Sequence, residues 1–65
     1  MTKQEQIEAF RIRMLGISET GITVDMFICG IEEGAVEYDP KTDILTVTRE
    51  GITEKLKVGV DLWTE

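Results

Sequence analysis

The sequence predicts an α+β fold: two short N-terminal helices packed on a three-stranded antiparallel β-meander, in the order ααβββ. Three observations carry that reading. Apolar residues recur at helical spacing from Ile7 to Ile17 and again from Val24 to Ile31. Turn-forming residues follow each of these stretches. From Val36 to Val58, one strand register sorts the side chains onto two consistent faces.

Thr2 and Glu5 have the spacing of a reciprocal capping box, in which each side chain satisfies an orphan backbone donor at a helix start. Ile7, Phe10, Met14 and Ile17 then make one apolar stripe, and Gly16 is expected to take the left-handed backbone that ends the helix. Ser18-Glu19-Thr20-Gly21 reads as a turn by composition. Val24, Phe27, Ile28 and Ile31 have the spacing of a buried helix face, with Thr23 as the expected cap and Glu32-Glu33-Gly34 as the stop. Ile22, Val24, Met26 and Ile28 also alternate as a strand would, and a glycine at position 30 costs a helix about 1 kcal/mol relative to Ala. The correctly placed Glu-Glu-Gly stop favours the helix.

The strands follow from period-two alternation. Val36–Asp39 is the first, Pro40–Asp43 a turn, Ile44–Arg49 the second, and Glu50-Gly51 turns the chain into Ile52–Val58. Pairing Tyr38 with Leu45 and Leu45 with Leu56 places Val36, Tyr38, Leu45, Val47, Leu56 and Val58 on one side. Glu37, Thr46, Thr48, Thr53, Lys55 and Lys57 fall on the other. A slip by one residue would mix the two sets, so the register is well specified.

At 65 residues the chain makes one domain, residues 1–65. A chain of this size buries only about 60% of its unfolded surface. Its 42% hydrophobic content separates it from disordered sequences. The single Cys29 cannot close an internal disulfide, and no apolar run approaches the roughly 20 residues that span a bilayer. Together with a charged N-terminus that lacks a secretory pattern, this predicts a cytoplasmic protein without membrane contact. The net charge of −6 is uneven: Glu19, Asp25, Glu32, Glu33, Glu37 and Asp39 lie between Ser18 and Asp39 with no base among them. Such a segment either keeps a small protein soluble or meets a cationic partner.

Catalysis finds little support. Without histidine the commonest neutral-pH general base is missing, and no Ser-His or Cys-His couple can form. Cys29, set among Phe27, Ile28 and Ile31, is expected to be a small buried hydrophobe with a raised pKa. Glu32 and Glu33 are adjacent on the expected helix and do not converge on one substrate atom. One Cys and no His cannot fill a zinc shell, and Asp39-Pro40-Lys41-Thr42-Asp43 lacks the Gly and distant Glu of a calcium loop. No cofactor, metal or catalytic residue is therefore assigned.

Leu15-Gly16-Ile17-Ser18 resembles the Leu-Gly-Ile/Val-Ser turn between the helices of bacterial helix-turn-helix proteins. The stretch Ile31 to Pro40 is similar to the junction from second helix to wing in winged helix-turn-helix domains, so the likeness covers roughly residues 7–50. The resemblance implies DNA binding, but a recognition helix needs Arg, Lys, Asn or Gln on its exposed face. Here the second helix offers Asp25, Glu32 and Glu33.

The leading expectation is a small acidic, non-enzymatic protein-interaction module. In size and composition it resembles the accessory proteins by which phages and mobile elements bind and modulate, or inhibit, host proteins. The expected contact residues are Asp25, Glu32, Glu33, Glu37 and Trp63, and the expected partner is a protein, in one form a basic nucleic-acid-binding one whose phosphate-contacting site the acids would occupy. An extended tail would bury Val58, Val60 and Leu62 and turn Trp63 outward, a common hot-spot placement; folding back over the core is the alternative. A homodimer is expected through the third strand and the Val60–Trp63 tail. The alternative function is a dimeric helix-turn-helix-type DNA-binding regulator, with Arg11, Arg13, Arg49, Lys55 and Lys57 on phosphates.

Overall fold

The computed structural model describes residues 1–63 and shows two helices followed by a three-stranded antiparallel sheet. Helix α1 spans Lys3–Gly16 and α2 spans Ile22–Glu33; strands β1, β2 and β3 span Val36–Asp39, Ile44–Arg49 and Ile52–Lys57. The segment from residue 22 to 31 is therefore helical. The glutamates and the glycine after them end it as expected, with Gly34 at φ 86°.

The capping box at Thr2 is formed: the Glu5 amide donates to Thr2 Oγ1 at 3.1 Å, and the Thr2 amide donates to Glu5 Oε1 at 3.0 Å. The far end of α1 differs from expectation, because Ser18 rather than Gly16 adopts the left-handed backbone, at φ 56°. The Glu19 amide donates to the Met14 carbonyl and the Ser18 amide to the Leu15 carbonyl, the two bonds of a Schellman closure. Carrying the helix through Gly16 keeps Ile17 packed against the core, so the reversal falls one step later. Gly34 and Ala35 close α2 in the same way onto Ile31 and Gly30. Thr23 is not a cap. Gly21, at φ 114°, starts α2 two residues earlier, and its carbonyl accepts from the Asp25 amide at 3.2 Å.

The sheet order is β1-β2-β3, with Tyr38 opposite Leu45 and Leu45 opposite Leu56, the register read from alternation. Val36, Tyr38, Leu45 and Val58 are buried, whereas Val47 and Leu56 are half-buried. Among the elements β3 packs on β2 alone, so the far half of the β2–β3 hairpin extends past the helices. Both helices lie on the dry face, and Lys3 at the start of α1 reaches the Glu32 carbonyl at the end of α2. The helices therefore run antiparallel. Phe10 sits at the centre, fully buried, with ring centroids 6.2 Å from Phe27, 5.5 Å from Tyr38 and 6.0 Å from Trp63.

The C-terminal tail corrects a third expectation. After Val58 the chain turns at Gly59, φ 84°, instead of extending. The Asp61 amide donates to the Lys57 carbonyl at 2.8 Å, and Asp61 Oδ2 accepts from the Lys57 amide at 2.9 Å. Val60 is consequently exposed rather than buried, and Trp63 folds inward against Phe27, 5.6 Å between centroids.

Candidate interaction surface

Helix α2 brings three of the five expected contact residues together. Asp25, Glu32 and Glu33 stand at i, i+7 and i+8, which places them along one side of a helix, and all three are exposed. Ile22 and Met26 share this outward surface and are 79% and 68% exposed. Burying side chains of this size against a partner is favourable by roughly 25 cal/mol per Å² of apolar area removed from water. Asp25 also lies in the first turn of α2, where a carboxylate is stabilised by the positive end of the helix dipole.

Cys29 lies between these acids and is exposed, not buried as its apolar neighbours implied. One residue advances the helix by about 100°, so the position after buried Ile28 already turns away from the core. The thiol contacts Glu33 Oε1 at 3.7 Å. Its pKa is raised, foremost by the Glu33 charge, with desolvation, that contact and the Glu32 charge adding to it. The thiol is correspondingly a poor nucleophile.

Glu37 and Trp63 are not part of this cluster. Glu37 projects from the outer face of the sheet, in a row with Thr46 and Lys55, while the next row holds Asp39, Ile44 and Lys57. That face runs from acidic at β1 to basic at β3. Trp63 belongs to the aromatic core. Both sheet edges carry a side-chain plug: Gln6 Oε1 accepts from the Tyr38 amide of β1 at 3.0 Å, and Asp61 from Lys57 of β3. Such plugs remove backbone groups that would recruit another strand.

Two grooves flank α2. One, about 250 Å³, lies between the helices and is lined by Met14, Leu15, Glu19, Val24, Asp25 and Ile28. The other, about 210 Å³, lies between α2 and the sheet and is lined by Thr23, Met26, Phe27, Val36, Val47 and Arg49. Exposed Leu15 and Ile52 were not singled out by pattern. Leu15 lies off the Ile7-Phe10-Met14 stripe, and Ile52 has inward parity but sits beyond the reach of the helices.

A denser polar cluster joins α1 to the first hairpin. Arg13 Nε donates to both carboxylate oxygens of Asp43, at 3.1 and 2.9 Å, and the Tyr38 hydroxyl donates to Asp43 Oδ1 at 2.6 Å. Asp43 holds φ 62° in the loop, and its amide donates to the Asp39 carbonyl. Every partner in the cluster is a group of the fold itself, so it acts as a clamp between layers.

Among the described residues, no group of three or more potential ligands is placed to hold a metal ion, and no helix is long and apolar enough to cross a membrane. No family model, curated protein or solved structure matches this chain.

Proposed function

We propose that this chain is a non-enzymatic interaction module that binds a basic partner protein through the exposed side of α2. The observation that carries the reading is the combination of Asp25, Glu32 and Glu33 with outward Ile22 and Met26 on one helix that contains no Lys or Arg. Opposite charge steers encounter and selects the partner, while the apolar side chains supply area to bury. A basic nucleic-acid-binding protein, modulated by occupation of its phosphate-contacting surface, fits this chemistry. The test is affinity capture with partner identification, comparing wild type with a triple Asp25/Glu32/Glu33→Lys variant and with Lys55→Glu/Lys57→Glu. The expected partner is lost only from the triple variant; a partner held equally by all three chains overturns the reading.

The second reading, a dimeric DNA-binding regulator, draws on Lys55 and Lys57, side by side on the outer face of the sheet. A sequence-specific electrophoretic shift that weakens steeply with salt, together with a dimer mass by light scattering, would put it first.

A further inference from the structure

We infer that the groove between α1 and α2 is the docking site for a basic amphipathic helix of a partner protein, a more specific claim that rests on the reading of α2 above. Its floor is apolar, formed by Met14, Val24 and Ile28, and Leu15 stands at its mouth, 73% exposed. The walls are two antiparallel helices, lined from Arg11 to Leu15 on α1 and from the Gly21 cap to Ile28 on α2, the longer stretch about 10 Å at the α-helical rise of about 1.5 Å per residue. That length takes two turns of a partner helix, whose apolar anchors at i, i+3, i+4 and i+7 would follow the floor.

Charge selects the occupant. Glu19 and Asp25 line the groove. Glu8, seven residues before Leu15, and Glu32, seven after Asp25, continue the two walls at helical spacing and are exposed. Against these four carboxylates stand two cations, Arg11 in the lining and Lys3, whose ammonium reaches the Glu32 carbonyl at the far end, so the walls stay net acidic. A second copy of this chain would bring the same carboxylates onto them, so self-stacking is opposed where a Lys- or Arg-flanked helix is favoured. The groove between α2 and the sheet shows no such preference, since Arg49 there is followed by Glu50 and Glu54 at the hairpin tip.

The experiment titrates the isotope-labelled protein with a synthetic helical peptide carrying leucines at i, i+3, i+4 and i+7 flanked by lysines, and with a matched peptide bearing glutamates in place of the lysines. Amide shifts from the lysine peptide should concentrate at Leu15, Val24, Asp25 and Ile28, and the glutamate peptide should not bind. Leu15→Ala should weaken binding about tenfold, whereas Ile52→Ala, at the hairpin tip, should leave it unchanged. Both substituted side chains are exposed, so circular dichroism should show both variants folded. Shifts centred on Phe27 and Val47, equal binding of the glutamate peptide, self-association with shifts at the same groove, or no binding would each overturn the assignment. If the groove fails while a captured protein still depends on Asp25, Glu32 and Glu33, the wider reading of α2 stands without it.

Discussion

A Cβ built on Gly30 would lie 2.5 Å from Cγ2 of Val36, so the glycine inside α2 is a packing requirement where the helix meets β1. On propensity alone Gly30→Ala would stabilise the helix by about 1 kcal/mol. Overpacking at a rigid contact costs about 1–3 kcal/mol, so the net expectation is a loss of up to about 2 kcal/mol in urea denaturation. Adding Val36→Ala removes the obstructing methyls, and the double variant should lose less than the sum of the two singles. Strict additivity would refute the contact.

The clamp formed by Arg13, Tyr38 and Asp43 ties α1 to the sheet across an interface where the ionic side chains are 35% and 22% exposed. Asp43→Ala removes a charged acceptor from two donors and places at φ 62° a residue that tolerates the left-handed region less well than aspartate. The expected loss is about 2 kcal/mol after allowing for solvent screening. Asp43→Asn should lose less, because asparagine tolerates the left-handed region and can still accept from Tyr38. If the two variants unfold at the same urea concentration, the charge and the backbone do not contribute as described.

Ser18 is the strained end of α1. Replacing it with glycine relieves the left-handed conformation while freeing the unfolded chain, and the balance should be a gain of about 0.5–1 kcal/mol. Gly34→Ala at the matching position of α2 should lose a similar amount. A rise in thermal midpoint for the first and a fall for the second would be the signature. Two falls would mean that the Ser18 hydroxyl, not its backbone, matters there.

These contrasts show what was legible in the chain. The strand register followed from alternation because a one-residue slip would have turned Tyr38 and Leu45 outward. Gly34 was recognisable as a helix stop, but Ser18 was not, since the left-handed position depends on where Ile17 packs and not on composition. The reversal at Gly59 escaped because it is fixed by Asp61 binding the Lys57 amide, a contact that parity along an extended tail cannot reveal. Of the candidate interaction surface, Asp25, Glu32 and Glu33 could be grouped from helical spacing. Glu37 is near them in sequence only, and a strand on the far side of the turn carries it to the opposite face of the molecule.

The single tyrosine makes the clamp measurable at high pH. Burial, then the hydrogen bond to Asp43 and the charge of its carboxylate, raise the Tyr38 pKa well above the ordinary phenol value, which is about 10. A group whose folded pKa is raised contributes its full stability below the unfolded pKa. That contribution is then lost as pH rises from about 10 through the folded value, because the unfolded state ionises first. Tyrosinate absorbance should therefore stay low past pH 10 and appear together with the loss of helical circular dichroism. Tyr38→Phe should be less stable than wild type at neutral pH, having lost the hydrogen bond, yet show a shallower decline above pH 10. Ionisation near pH 10 in a chain that is still fully helical would show that Tyr38 is open to solvent and that the clamp does not hold its proton.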